Sequence, residues 1–585
     1  MRDRMARTAS MLAFCLLMAP LAMGATAPTS LALTLKANIL TQQSATALGK
    51  GVSASDPNIH VPGTEAYQKY QAAIATAKVV SSQIANQRDL AAVTVSYAAQ
   101  TICSGVYVQN LPALVPPSII QCQVPADCTL QVITNAASVG IPPANLSPGT
   151  VLMTLPGNCT CPFPLPTAQN KPESGPYYAR ADSFSPQNQF TGIATPVLAW
   201  NPKYGCQVLE HVTTPIQQDP LYPTFTDDGQ APVVFDWPIA TANSSAAFPN
   251  VNYSLIQSQM AQFFPNTAPP GVFEGITESH TYAIGVFYKG KLIAEQYAPG
   301  ITNATKLNSN SIIKSFFINY MAGLRSVDGK MSIDDLIGAP HWGEEVILER
   351  GIKFDNLMRT NAGLSPEGGT IPEAGYYSDT IMLLTQPDIP GYAAGLPLAY
   401  APVGAVWDYS NAGFAMSTLA IRNSFGGDNA TYWSYPFNKL YKRVGAPDVT
   451  LGVDSVGNLL QTATGMFATM YDYAKLGSVF LNGGTFQGER ILPKEWIDYS
   501  LTPVSNSDSP GGGKYGAGWW LNGYPTVPYF SYNAFGAFGQ RVFIVPEKDL
   551  MILHFGLATG EYQDGYVWNT EVGTYLFGNI TKAIG

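Results

Sequence analysis

The segment 310–324 constrains the fold of this chain more than any other stretch of its sequence. It predicts a buried helix, because apolar side chains fall on nearly all of its sides. These side chains belong to Ile312, Ile313, Phe316, Phe317, Ile318, Met321 and Leu324. The helix is expected to end at Asp328-Gly329, where a glycine can adopt the left-handed conformation of a helix C-terminus. Such a helix is expected to lie inside a large core.

Two polar side chains interrupt this apolar segment. Ser311 and Lys314 are one turn apart and therefore share a helix face. A hydroxyl beside an amine in apolar surroundings pairs a nucleophile with a base, because burial disfavours the ammonium and lets the amine accept the serine proton. Ser-x-x-Lys also occurs by chance. The alternative is a helix N-terminus that Asn310 or Ser311 caps, with Lys314 exposed.

A second motif, Tyr409-Ser410-Asn411, follows downstream of Lys314. A tyrosine hydroxyl next to a lysine ammonium can deliver a proton to a leaving group and then activate water. The amide of Asn411 can orient the lysine or bind a substrate carbonyl. The alternative for Tyr409 is a loop tyrosine that packs on Trp407. The two motifs in this order favour a catalytic serine, lysine and tyrosine.

Composition excludes several functional classes. The chain has 585 residues, of which 46% are hydrophobic and 12% charged, so it is globular and long enough for two or more domains. Its net charge of -9, without any basic stripe, argues against a nucleic-acid partner. Its 5 histidines and its cysteines show no metal-ligand spacing, so we expect no metal and no other cofactor.

The N-terminus predicts export. Arg2, Arg4 and Arg7 precede an apolar run at 11–23 and then small residues, which is typical of a signal peptide over residues 1–24. The run is short for a membrane span, although an uncleaved signal anchor is the alternative. No later segment reaches roughly 18 uninterrupted apolar residues. The mature protein is therefore expected to be secreted, or to reside in a periplasm or lysosomal lumen, without a stable membrane span.

Residues 25–225 form a cysteine-containing region with no recognisable chemistry. Six cysteines of an exported chain predict three disulfides; they are Cys103, Cys122, Cys128, Cys159, Cys161 and Cys206. Residues 111–174 are rich in proline, asparagine and cysteine and are expected to be irregular. The interpretation of the region is a stabilising or substrate-covering lobe. Asn-x-Ser/Thr sequons, sites of glycosylation in a eukaryotic source, occur at Asn145, Asn158, Asn243, Asn252, Asn303, Asn429 and Asn579.

Residues 230–585 predict an α+β domain. A helix is expected over 253–264, and a hairpin over 282–297 that turns at Lys289-Gly290. Further helices are expected over 463–477 and from about 569 to 583, with two strands that begin at Arg541 and Leu550. A hairpin, a helical middle, more strands and a terminal helix indicate an antiparallel sheet flanked by helices.

The same domain resembles the superfamily of serine β-lactamases and penicillin-binding proteins, and within it the 6-aminohexanoate-dimer hydrolases and class C-like esterases. The resemblance rests on Ser311-x-x-Lys314-Ser315 and on segments 328–335, 357–364, 407–411, 491–496, 515–520 and 536–540. It implies a β-lactamase/transpeptidase-like fold, catalysis by Ser311, Lys314 and Tyr409, and support from Asn411. The neighbourhoods of Cys103 and Cys206 are similar to an N-terminal extension of some members. We expect these two cysteines to pair, since each lies beside a short strand-like run.

The third motif departs from the superfamily pattern. Where a lysine or histidine, any residue and a glycine are usual, the chain has Ala534-Phe535-Gly536. The absent cation normally engages a substrate carboxylate, so neutral esters or amides are favoured. Gly536 would let a substrate approach the strand closely.

The resemblance also implies an oxyanion hole formed by the backbone N–H groups of Ser311 and Ala537. Gln540 could contact substrate or hold strand ends together. Tyr376 and Tyr377 lie where related enzymes carry an auxiliary tyrosine, and the sequence does not choose between them.

The sequence therefore predicts an exported serine hydrolase that cleaves a small-molecule or short-peptide ester or amide through an acyl-enzyme on Ser311. A Ser-His-Asp triad is the competing arrangement, but no Gly-x-Ser-x-Gly elbow exists. His280, His341 and His554 are expected to be structural or exposed. The alternatives are a cell-wall D,D-peptidase or β-lactamase, and a scaffold that retains the fold without catalysis. The sequence leaves the oligomeric state open.

Overall fold

The structure is a computed structural model. It describes residues 223–244, 246–264, 279–339, 342–364, 388–395, 402–454, 456–459, 465–507, 513–536, 539–558 and 572–585. It also describes the backbone of four short strands nearer the N-terminus. The predicted signal peptide, the cysteine side chains and Tyr376, Tyr377 and Ala537 lie outside the described residues.

The four N-terminal strands form an antiparallel sheet of their own in the order β1-β2-β3-β4. Their bounds are β1 Gln131–Ile133, β2 Val151–Leu155, β3 Phe190–Pro196 and β4 Cys206–Val208. Strands β1 and β2 fall within residues 111–174, so the expectation of an irregular region was wrong there. The proline-rich composition concealed two short pairing segments.

The C-terminal part of the chain contains the following elements in chain order. Up to the helix that follows Tyr409 they are α1 Tyr253–Ala261, β5 Ser279–Tyr288, β6 Lys291–Tyr297, β7 Leu307–Asn308, α2 (π-helical over Lys314–Ile318, α-helical over Asn319–Val327), α3 Glu344–Arg350, α4 Phe354–Met358, α5 Ile389–Gly395 and α6 Asn411–Asn423. The next are α7 Asn429–Pro436, extended by a π-helical turn Phe437–Tyr441, β8 Thr450–Leu451, β9 Met466–Ala468, α8 Met470–Leu481, β10 Thr485–Phe486, β11 Glu489–Arg490 and α9 Lys494–Ser500. The last are β12 Lys514–Tyr515, β13 Trp520–Leu521, β14 Tyr532–Gly536, β15 Gln540–Val545, a 3-10 turn Pro546–Lys548, β16 Leu550–Ala558 and α10 (π-helical over Val572–Gly578, α-helical over Asn579–Lys582).

A seven-stranded sheet organises this part of the chain, with the order β12-β13-β14-β15-β16-β5-β6. All neighbours are antiparallel. Side chains alternate between its two faces, because successive residues of a strand point in opposite directions. Val542 and Leu553 join the larger core, which contains α2, α6 and α8, whereas Phe543 and Ile552 join a second core with α1 and α10. The predicted antiparallel sheet flanked by helices is confirmed.

The predicted hairpin turn is confirmed at Lys289-Gly290. Both residues have positive φ, 48° and 68°. A two-residue turn with this backbone matches the right-handed twist of the strands that it joins. The sheet therefore begins with a local contact between β5 and β6.

One predicted helix began too early. Within the stretch 463–477, Met466–Ala468 forms strand β9 between β7 and β8, and the helix starts only at Met470. The side chain of Thr469 caps the helix by accepting a hydrogen bond from the backbone N–H of Asp472. A three-residue strand carries no clear periodicity, so the cap was the informative signal.

No helix among the described residues is long and apolar enough to cross a membrane. Within the same part of the chain, no group of three or more His, Cys, Asp or Glu side chains could hold a metal ion.

Candidate active site

Ser311 lies at a sharp backbone reversal between β7 and α2. The preceding residue, Asn310, has a φ of 42°, which is unusual for a residue other than glycine. The backbone N–H of Asn310 donates to Oδ1 of Asn308, and that of Ser309 donates to the carbonyl of Met466. These bonds hold the reversal in place. Ser311 is half-buried, whereas the next residue, Ile312, is fully buried.

Lys314 contacts the predicted nucleophile directly. Its Nζ donates to Oγ of Ser311 over 2.8 Å, and the lysine is only 1% exposed. The two side chains therefore share a helix face as predicted, and the alternative with an exposed Lys314 is wrong. Nζ lies 5.1 Å from the ring centroid of Tyr409 and 5.5 Å from that of Phe414. Burial disfavours the ammonium here, while the faces of the two rings favour it.

The helix that carries this pair is not α-helical throughout. Residues Lys314–Ile318 form a π-helical turn, and the backbone N–H of Asn319 donates to the carbonyl of Lys314. Isolated π-helical turns are frequent at functional sites. The sequence did not predict this turn. Ser315 donates through Oγ to the carbonyl of Gly518 over 2.6 Å, which ties the helix to the loop before β13.

Tyr409 lies just before the N-cap residue of α6, and its ring faces Nζ of Lys314. The N-cap of α6 is Ser410, whose Oγ accepts a hydrogen bond from the backbone N–H of Gly413. The ring of Tyr409 stacks on Trp520 at a centroid distance of 5.3 Å. It also meets the ring of Tyr515 edge-on at 5.9 Å. Two distant motifs thus converge on one place, since Nζ of Lys314 is hydrogen-bonded to Ser311 and lies 5.1 Å from the centroid of the Tyr409 ring.

The end of β14 lies against the backbone that precedes Ser311. A Cβ atom on Gly536 would collide with the carbonyl oxygen of Ser309 and come within 3.1 Å of Cβ of Asn310. Glycine is therefore required for this close approach. In the described part of the sheet, β13 pairs only with Tyr532 and Asn533. It does not pair with the segment from Ala534 to Gly536, of which only Phe535 is partly exposed and whose Gly536 lies against the backbone of Ser309.

The sequence model of the Beta-lactamase family matches residues 271–565 of this chain. The chain belongs to the beta-lactamase family. The matched residues contain Ser311, Lys314, Tyr409, Asn411 and the whole of β14. Members of the beta-lactamase family are serine hydrolases.

Solved structures in the beta-lactamase family's fold are similar to this chain. A putative 6-aminohexanoate-dimer hydrolase from Bacillus anthracis is 18% identical, with a TM-score of 0.43, and the match covers 59% of this chain and 88% of that one. A putative beta-lactamase from Bacteroides dorei DSM 17855 is 16% identical, with a TM-score of 0.43 and coverage of 57% and 97%. A D-stereospecific amidohydrolase from Streptomyces sp. is 14% identical, with a TM-score of 0.39 and coverage of 54% and 97%. No curated protein matched the chain.

Three buried polar side chains hold the turn that follows β14 in this beta-lactamase family chain. Nη1 of Arg541 donates to the carbonyls of Gly536 and Gln540, each over 2.8 Å. The side-chain amide of Gln540 donates to the carbonyl of Gly556 and accepts from its N–H, so it joins β15 to β16. The ring of His554 contacts the carbonyl of Gly539 through Nδ1 at 2.6 Å. The sequence singled out Gln540 and His554 but did not reveal this arrangement.

His554 is a structural histidine, as predicted. Because a carbonyl only accepts, Nδ1 carries the proton, and Nε2 accepts from the hydroxyl of Thr281 at 3.0 Å. Burial lowers the pKa of His554 from 6.5 to about 4, so the ring is neutral at pH 7. The side chain of His280, and all of His341, lie outside the described residues.

We expect the cost of replacing His554 with asparagine to be greatest near pH 7 and to shrink towards pH 4. Below pH 6.5 the histidine of the unfolded chain is protonated, whereas the buried ring of the folded protein stays neutral down to about pH 4. The free energy of unfolding of the wild-type protein therefore falls by about 3 kcal/mol between these two pH values. The variant lacks this loss. The measurement is the Tm of both proteins by scanning fluorimetry at half-unit pH steps.

The test uses the difference in Tm between the wild-type protein and the variant, because a second buried group, Asp454, changes the stability of both proteins in the opposite direction as the pH falls. Burial raises the pKa of Asp454 to about 7, so that residue adds stability as the pH falls from 7 towards 3.8. Its contribution is common to both proteins and cancels. A Tm difference that stays constant from pH 7 to pH 4 would show that His554 does not titrate as its burial requires.

Proposed function

We propose that the chain is a serine hydrolase that cleaves uncharged esters or amides through an acyl-enzyme on Ser311. The observation that carries the proposal is the 2.8 Å contact between Nζ of the buried Lys314 and Oγ of the half-buried Ser311. This contact pairs a protected base with an accessible hydroxyl, which is the geometry that nucleophilic catalysis needs.

In the proposed reaction, Lys314 accepts the proton of Ser311 as Oγ attacks the substrate carbonyl. The tetrahedral oxyanion receives hydrogen bonds from the backbone N–H groups of Ser311 and Ala537. Tyr409 passes the proton to the leaving alcohol or amine, and the carbonyl re-forms as that group departs. Water then attacks the acyl-enzyme with the same groups in reverse roles, which releases the acid and restores Ser311. Asn411 orients Lys314 or the substrate carbonyl.

Export and glycosylation belong to the same proposal. They rest on the signal-like residues 1–24 and on the cysteines and sequons of the sequence. Among the described sequon asparagines, Asn243, Asn252 and Asn303 are exposed. Asn429 and Asn579 are half-buried; Asn429 accepts hydrogen bonds from Arg422, and Asn579 donates one to Gln259. Asn252 also accepts one, from the backbone N–H of Leu255.

Labelling with a fluorophosphonate probe, followed by mass-spectrometric mapping, tests the function. We expect one adduct, on Ser311, and none in Ser311→Ala. Ser326→Ala is the matched control, because Ser326 lies in the last turn of the same helix. An unlabelled wild-type protein would favour the non-catalytic scaffold. Rapid nitrocefin turnover by the unlabelled enzyme, lost in Ser311→Ala, would instead favour a β-lactamase.

We expect Tyr409→Phe to lower kcat by about 10²- to 10³-fold for alkyl esters. The ring can stay stacked on Trp520, so the variant removes only the hydroxyl that is proposed to protonate the leaving group. An aryl ester such as p-nitrophenyl butyrate has a leaving group that departs without protonation, so its acylation should suffer less. Single-turnover acylation rates for ethyl and p-nitrophenyl butyrate measure the difference. Equal losses for both esters would contradict the shuttle role.

A further inference from the structure

Phe535 occupies the middle of the segment of β14 that β13 leaves unpaired, next to the Gly536 that packs against the backbone preceding Ser311. It lies on β14 between the buried Ala534 and Gly536, and unlike them it is partly exposed. Its ring meets Trp520 edge-on at 5.8 Å, and Trp520 in turn stacks on Tyr409. The three aromatic side chains therefore form one continuous wall that leads from the strand edge to the Ser311–Lys314 pair.

A cation lies directly behind this wall. Arg541 is the cross-strand partner of Phe535 in the pairing of β14 with β15, so both side chains are on the same face of the sheet. The guanidinium carbon is 3.3 Å from the centroid of the Phe535 ring, which is van der Waals contact and leaves no room for water. Arg541 is 1% exposed.

The guanidinium is fixed in place as well as covered. Nη1 donates to the carbonyls of Gly536 and Gln540 at either side of the β14–β15 turn. Arg541 also hydrogen-bonds the side chain of Tyr524, and its cross-strand neighbour on β16, His554, is a neutral ring. These contacts and the two carbonyls hold the guanidinium beneath the Phe535 ring.

We propose that Phe535 sets the charge preference of the site by covering Arg541, so that the cleft accepts uncharged, apolar acyl groups and an anion-binding site is concealed beneath the ring. This inference rests on the proposed function. A substrate carboxylate meets an aromatic face, which gives it no hydrogen bond and removes its water. Without the ring, the same carboxylate reaches a fixed guanidinium, the side chain best suited to bind it. Selectivity then arises from what the ring excludes.

Two esters that share the same leaving group, p-nitrophenolate, but differ in the charge of the acyl chain test the inference. They are p-nitrophenyl butyrate and the mono-p-nitrophenyl ester of glutaric acid, whose acyl chain ends in a carboxylate. We expect the wild-type enzyme to favour the neutral ester in kcat/KM by about 100-fold, a difference of about 2.7 kcal/mol. In Phe535→Ala and Phe535→Thr the ratio should move towards the anionic ester by at least about tenfold. Each ratio comes from a single preparation, so it does not depend on the fraction of active enzyme.

Two matched variants complete the test. Phe535→Leu keeps an apolar cover, and its ratio should stay within about threefold of the wild-type value. In the double variant Phe535→Ala/Arg541→Met the gain for the anionic ester should disappear, because the guanidinium is gone. The gain in Phe535→Ala should also weaken as the salt concentration rises, since it depends on an ion pair.

The outcomes separate this inference from the proposed function. If Ser311→Ala hydrolyses p-nitrophenyl butyrate normally, the proposed function fails. If hydrolysis depends on Ser311 but the ratio does not move in either opened variant, the assignment of Phe535 is wrong. The same holds if the wild-type enzyme accepts both esters equally, or if the gain persists without Arg541.

Discussion

Ser311→Ala is expected to lower kcat/KM for p-nitrophenyl butyrate by at least about 10⁴-fold, which corresponds to a loss of about 5.4 kcal/mol of transition-state stabilisation. The proposed acyl-enzyme cannot form without Oγ. What remains is attack by water, assisted only by binding and by the backbone donors. The measurement is the initial rate at several substrate concentrations, with purified protein that is free of host esterases.

The fold should survive this substitution. Ser311 is half-buried, and its side chain contributes one hydrogen bond to Nζ of Lys314, so we expect the Tm to change by only a few degrees. Ser326→Ala is again the control, and it should retain wild-type activity. Residual activity above a few per cent in Ser311→Ala would remove the serine from the mechanism.

Lys314→Met is expected to lower kcat by about 10³- to 10⁴-fold while leaving the Tm unchanged or raising it. Lysine is the proposed base, and general-base catalysis contributes about 10²- to 10⁴-fold. Methionine has a similar length and suits the space between the rings of Tyr409 and Phe414. The substitution also removes an amine that is costly to bury. Loss of activity with no loss of stability is typical of a residue kept for function.

Lys314→Arg separates the two roles that a buried cation could have. Arginine keeps the positive charge but cannot act as a base at neutral pH, because its pKa is above about 12. We expect Lys314→Arg to be as inactive as Lys314→Met. If arginine restored most of the activity, Lys314 would act by its charge and the proposal that it accepts the serine proton would be wrong.

The sequence predicted the elements that local chemistry specifies. The apolar surface of 310–324 predicted α2, and the Lys289-Gly290 turn predicted the β5–β6 hairpin, because each depends on neighbours in the chain. The convergence of Ser311 and Lys314 follows from helix spacing alone. The approach of Tyr409 to Lys314 was inferred from a resemblance, since nothing local brings α2 and α6 together.

Features that depend on distant contacts were missed. A segment that is apolar on nearly all sides reads alike as an α-helix or a π-helix, so the π-helical turn at Lys314–Ile318 left no signal. The contact of Phe535 with Arg541 depends on the register of β14 against β15. A shift of that register by one residue would place the two side chains on opposite faces. Apart from residues 111–174, where β1 and β2 contradict the expected irregular structure, the predictions for residues 1–222 lie outside the described part of the chain and stay predictions.

The π-helical turn constrains the number of residues in α2, and not only their identity. The N-terminal end of the helix must direct Ser311 and Lys314 towards the cleft. Five residues after Lys314, Nδ2 of Asn319 must donate to Oγ of Ser500 and to the carbonyl of Ala517. Deleting one residue in between would turn these ends by about 100° relative to each other. Only one of the two attachments could then be kept. Homologues should therefore tolerate substitutions within residues 315–318 far more readily than a change in their number.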